Sequence, residues 1–107
     1  MARYLLNTPV LTAFGLWRYR GPVSLSEARA FVAAGEYISA IGHAATAAYL
    51  QGILGQAVEF QRRAVSLEPG DVALVYQILE RPSEGEVFDL QTIAAKRGVF
   101  GLLERVE

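Results

Sequence analysis

Residues 37–55 read YISAIGHAATAAYLQGILG, and the way this stretch divides decides the architecture. Tyr37–Ile41 is short, aromatic and β-branched, the composition of a strand. From His43 onward the pattern changes. Ala47, Leu50, Ile53 and Leu54 recur at helical spacing, so a helix is expected from near His43 until Gly55 stops it. A strand that hands over to a helix this abruptly leaves Gly42 and His43 in the connection, and such connections often carry functional groups.

Working outward, "ARYLLNT" reads as a first strand ended by Pro9, and "TAFGLWRYR" as a second closed by Gly21-Pro22. In "SLSEARAFVAAG", Ser24 with Glu27 three residues on forms a capping box. Leu25, Ala28, Phe31 and Val32 supply the apolar face of that helix, and Gly35 supplies a stop. Beyond residue 55, "RRAVSLE" reads as a strand, Pro69-Gly70 as a turn and "DVALVYQILE" as a longer strand. "RPSEGE" is a further turn, Asp89 caps a short helix "LQTIAAKR" ended by Gly98, and "VFGLLERVE" is a last strand. No linker or repeat interrupts the chain. Residues 1–107 are therefore expected to form a single α+β domain, a mixed sheet of about five strands with packed helices.

With 107 residues, 52% of them hydrophobic, the chain has enough apolar side chains for one core without covalent staples. Ten Lys+Arg against eleven Asp+Glu give a net charge of -1, which excludes binding duplex nucleic acid by bulk charge but leaves room for a local basic pocket. The basic residues are arginines except Lys96, and a guanidinium grips phosphate bidentately. Without cysteine there is no disulfide framework, thiolate nucleophile or zinc–thiolate site. One histidine and no DxD or HxxxH spacing provide no transition-metal set, so no metal or other cofactor is expected. The uncharged span between Glu36 and Glu59 is interrupted by Ser39, His43, Thr46, Gln51 and Gln56, which argues against a membrane segment. No secretory signal is evident, and a cytoplasmic protein is the default expectation.

His43 is the sole histidine, and it stands at a helix entrance where free backbone N–H groups favour an anion. Gly42 beside it would let a substrate approach the backbone closely. The competing reading is an imidazole packed among small residues. On the long strands, side chains alternate faces, so Gln77 and Arg81 share one face of "DVALVYQILE". Arg62 has the parity of Ala64 and Ser66, whereas Arg63 has that of Val65 and Leu67. A pocket built from Arg62, Gln77 and Arg81 is geometrically possible; a solvated sheet face is the plainer alternative. Asn7, at the end of the first strand, can bond its own turn or reach a ligand. Glu84 can be a turn residue, hold an arginine or receive a proton.

The stretches "YLLNTP", "ISAIGHAAT", "RRAVSLEPGD" running into "VYQILERPSEG", and the closing "GLLERVE" together resemble a family of small viral proteins, with bacterial relatives, that act as type III anti-CRISPR ring nucleases. The resemblance runs the full length, and Ile41-Gly42-His43 with Thr46 is its most specific part. It implies a homodimeric viral enzyme of the host-cell cytoplasm. The enzyme would bind cyclic tetra-adenylate and cut it without metal to linear di-adenylate, switching off type III CRISPR signalling. The matching positions are Asn7, His43, Arg62, Gln77, Arg81 and Glu84, with His43 the key catalytic residue, Glu84 assisting and the others holding the ring; Gly42 joins them as a backbone contact. Where some relatives carry a serine near the end of the first strand, this chain has Val10, so a side-chain contact is lost there.

The implied chemistry is intrinsic to RNA: a ribose 2′-hydroxyl attacks the adjacent phosphorus and the 5′-oxygen leaves. It asks for alignment, stabilisation of charge on the phosphoryl oxygens, and a proton for the leaving oxygen. A protein that sequesters the ring without cutting it, or a structural viral protein without nucleotide, is the alternative. A general ribonuclease fits less well, because the chain has no long basic groove.

Overall fold

The computed structural model describes residues 2–79 and 98–107. Five strands and two helices alternate along them: β1 Arg3–Leu6, β2 Trp17–Val23, α1 Leu25–Ala33, β3 Ile38–Ala40, α2 Ala44–Leu54, β4 Val72–Ile78 and β5 Gly98–Arg105. The strands form one mixed sheet in the order β2-β5-β4-β1-β3. β1 runs parallel to β3 and to β4, while β5 is antiparallel to β4 and β2. This is the expected α+β architecture.

The sheet is covered on both faces, which explains why "VALVYQI" is almost continuously apolar. Leu74 and Tyr76 of β4 point to one face and join Leu5, Ile41, Phe100 and the helix residues Ala28, Val32, Ala47, Leu50 and Leu54. Ala73 and Val75 point to the other and join Leu6, Leu67 and Leu103. Ser24 caps α1 as anticipated, its Oγ accepting from the Glu27 amide at 3.0 Å. Gly35 does not end that helix by a left-handed turn. The chain leaves through Ala34 in right-handed conformation, and Arg3 donates to the carbonyls of Phe31 and Glu36. Gly55 does end α2 that way, at φ 74°.

Two expectations are corrected. β2 begins at Trp17 and runs through Gly21-Pro22 to Val23, with a register shift against β5 between Arg20 and Val23. Proline is tolerated there because β2 is an edge strand and the shift removes the need for its amide. "RRAVSLE" is not a strand. After a single parallel bridge between Ile41 and Phe60, residues 61–68 leave the sheet edge and cross its face. The alternation in that segment is real, since Leu67 is fully buried and Val65 packs beside it while Arg62, Arg63 and Ser66 are exposed. It is met by lying on a sheet rather than by joining one. The turn at Pro69-Gly70 is present, closed by the Asp71 amide on the Glu68 carbonyl at 2.9 Å. The "RPSEGE" turn and the "LQTIAAKR" helix lie outside the described residues, as do Arg81 and Glu84. No described helix is long and apolar enough to cross a bilayer.

Candidate functional site

β1 and β3 are neighbouring parallel strands whose chains leave the same edge in opposite directions. After β3 the chain turns into α2 on the helical face. After β1 it crosses the other face toward β2, where the Phe14 and Leu67 carbonyls both accept from Arg105. Such divergence opens a crevice at the carboxyl edge of a sheet. A cavity of about 560 Å³ lies there, lined by Leu6, Asn7, Thr8 and Val10 from the β1 exit, Ala40, Gly42 and His43 from the β3 exit, and Arg62, Arg63, Ala64 and Val65 from the crossing segment.

His43 is the N-cap residue of α2, with extended backbone (φ −128°, ψ 125°) and a carbonyl that accepts from Ala47. Its side chain is exposed and makes no cap hydrogen bond, so the reading of His43 as a packed core imidazole is overturned. The first turn of α2 holds no acidic residue. Its amides therefore keep their preference for an anion. At Gly42 a Cβ would meet the Arg62 Cγ at 3.8 Å, an ordinary contact. Gly42 thus places the stem of Arg62 directly against the backbone that leads into His43.

Arg62 and Arg63 both line the cavity, contrary to the parity that separates them on a strand. Consecutive side chains reach the same space because residues 61–68 have no ladder to impose alternation. Arg63 was the residue missed by sequence reasoning, and the signal for it was the RR pair itself. Among the described residues every other arginine is engaged: Arg3 on helix carbonyls, Arg18 with Glu104, Arg20 with Glu27, Arg29 on the Ile53 carbonyl and Arg105 on the Leu67 carbonyl. Arg62 and Arg63 have no such partner among them, and the described lining contains no carboxylate. Asn7 is half-buried in the same wall, without the turn hydrogen bond considered for it.

Gln77 does not join this cavity. It sits near the carboxyl end of β4 and lines a neighbouring groove of about 360 Å³ with Tyr19, Gly21, Leu79, Val99 and Gly101. The Tyr19 hydroxyl donates to its Oε1 at 3.1 Å. Burial pushes the Tyr19 phenol above its ordinary pKa. On the helical face, burial and a hydrogen-bonding contact with Tyr49 raise Tyr76 to about 12. The structure thus brings Asn7, Gly42, His43 and Arg62 together, adds Arg63, and keeps Gln77 on the same sheet edge in a separate groove.

Comparison with known proteins adds the following. The family model described as STIV B116-like matches residues 3–100. The chain is 35% identical to the uncharacterized protein ORF117 of Acidianus two-tailed virus, across 78% of this chain and 75% of that protein. It is 29% identical to the uncharacterized protein YddF of Bacillus subtilis strain 168, across 95% of both. The solved structure of B116 from Sulfolobus turreted icosahedral virus superposes with a TM-score of 0.73 at 21% identity, covering 98% of this chain and 100% of that one.

Proposed function

Since the chain belongs to the STIV B116-like family, a family with viral members, we propose that it is a ring nuclease that opens cyclic tetra-adenylate to linear di-adenylate. One observation carries the reading. The only two described arginines without a partner, Arg62 and Arg63, converge with the sole histidine on a cavity at a helix N-terminus that no described carboxylate lines. That is a site for a phosphodiester. The resemblance of the surrounding sequence to anti-CRISPR ring nucleases supplies the substrate.

In the proposed reaction the ribose 2′-oxygen bonds to the adjacent phosphorus, the bond to the 5′-oxygen breaks, and a 2′,3′-cyclic phosphate end remains. The 2′-hydroxyl proton passes to solvent. His43 delivers a proton to the departing 5′-oxygen, the role of a general acid. Arg62, Arg63 and the first amides of α2 hold the phosphoryl oxygens as their charge grows. Asn7 and Gln77 hold the ring, and Arg81 and Glu84 are assigned by resemblance alone. None of these steps calls for a metal.

The cavity has the volume of a pocket for one drug-sized molecule, too small for four nucleotides. A second copy related by a two-fold axis would complete it, each subunit cutting one of two opposite linkages. The face that bears the cavity suits such a contact. Leu11, Phe14 and Leu16, on the segment that follows Val10 of the cavity wall, are 66%, 102% and 54% exposed, and residues 7–17 contain no charge that would meet its own copy across the axis. Phe14→Asp is expected to leave a monomer by sedimentation with little cleavage; a dimer with full activity rejects the two-fold site.

The test of the activity is single-turnover cleavage of labelled cyclic tetra-adenylate by the wild-type protein and by His43→Ala. The variant is expected to bind the ring but to cut it about 10²–10⁴-fold more slowly, the usual worth of a positioned acid. Equal rates dismiss His43 as the acid, and binding without product from the wild type makes the protein a sequestering one.

A further inference from the structure

We propose that Tyr19 is a positioning residue of the ligand site: its hydroxyl holds the Gln77 amide by the oxygen and leaves the amide NH₂ as the face offered to a ligand. The inference rests on the ring-nuclease reading for the identity of that ligand.

The contact is built across the sheet rather than along it. Tyr19 belongs to β2 and Gln77 to β4, and β5 runs between them. The ring reaches over because β5 has Gly101 at the crossing point. A Cβ there would come within 2.6 Å of the Tyr19 ring. The phenol therefore lies on backbone, half exposed, with its oxygen directed at the Gln77 Oε1 at 3.1 Å.

Such a bond at an exposed position adds little to stability, but it changes what Gln77 can do. A free glutamine side chain loses up to about 2 kcal/mol of rotamer freedom when it is ordered. An amide already held in the unliganded protein avoids part of that cost on binding. Holding it by the oxygen also sets its chemistry. The hydroxyl takes one of the two lone pairs of the oxygen and fixes the amide's orientation, so its NH₂ brings two N–H donors to the groove. The ligand atom opposite must be an acceptor, a phosphoryl oxygen or an adenine ring nitrogen, and not the exocyclic amino group.

Tyr19→Phe keeps the ring over Gly101 and removes only the hydroxyl. Affinity for cyclic tetra-adenylate is measured in four proteins, all carrying His43→Ala so that the ring is not consumed: the parent, Tyr19→Phe, Gln77→Ala and the double variant. Tyr19→Phe is expected to weaken binding about three- to tenfold, the equivalent of one neutral hydrogen bond, and to add nothing once Gln77 is alanine. With His43 intact, the single-turnover rate at saturating ring is expected to be unchanged by Tyr19→Phe, as is the melting temperature. Unaltered affinity, or the same loss with and without Gln77, overturns the inference while the ring-nuclease reading stands. A parent protein that does not bind the ring overturns both.

Discussion

The two faces of the sheet are built differently. On one, α1 and α2 cover Leu5, Leu74 and Tyr76 with side chains at helical spacing. The helices satisfy their own backbone groups. On the other, residues 61–68 lay Val65 and Leu67 over Leu6, Ala73 and Val75 without regular structure, and each polar backbone group needs its own arrangement. The Leu67 carbonyl accepts from Arg105 at 2.8 Å, and the Glu68 amide donates to the buried Asp71 at 2.9 Å. The irregular face is where the cavity lies. Freed from alternation, neighbouring residues such as Arg62 and Arg63 converge on one cavity. Regular cover stabilises; irregular cover presents chemistry.

That division is testable. The largest expected effect is on the helical face. Leu50 is fully buried there, and Leu50→Ala should cost about 2–5 kcal/mol in denaturant unfolding. A loss well under 1 kcal/mol would mean that α2 is not a core element.

On the irregular face, Arg62→Ala and Arg63→Ala should each weaken ring binding roughly tenfold, as lost charge-assisted hydrogen bonds do, with no change in melting temperature. Each should also reduce the slope of log affinity against log salt by about 0.7, the value for one single-strand phosphate contact. If either variant binds normally, the cavity is not where the phosphates sit.

A further effect is again on the helical face and depends on pH. Tyr76, raised to about 12 in the folded protein, has an ordinary value of 10.0 when unfolded. Because the folded state keeps the proton longer, the stabilisation is complete below pH 10 and is lost as pH rises toward 12. The melting temperature of the wild-type protein should therefore fall across that window, and Tyr76→Phe should flatten the fall. An equal decline in both proteins would assign the effect to other groups.

Much of this was legible in the residues. The capping box at Ser24, the glycine stop at Gly55 and the continuous apolar run of β4 each depend on contacts within a few residues, and each appears as read. His43 at the entrance of α2 follows from the same local logic, as does its neighbourhood with Gly42. The misreadings share a cause. "RRAVSLE" has the alternation of a strand and the burial of one, but no neighbouring edge to pair with. Assigning Arg62 and Arg63 to opposite sides inherited that mistake. Gln77 was placed on the correct face of β4, yet its partner turned out to be Tyr19 rather than Arg62.

By itself the sequence determined the periodicities, and with them the helices, the central strand and the place of one histidine at a helix start, while its exposure was left to the structure. These are local consequences of backbone geometry and of which side chains avoid water. Tertiary structure alone decided the strand order, the unpaired crossing of residues 61–68, and the meeting of Asn7, His43, Arg62 and Arg63 around one cavity. A ladder hydrogen bond needs a free edge, and a cavity needs chains that part, and both are set by segments far apart in the sequence.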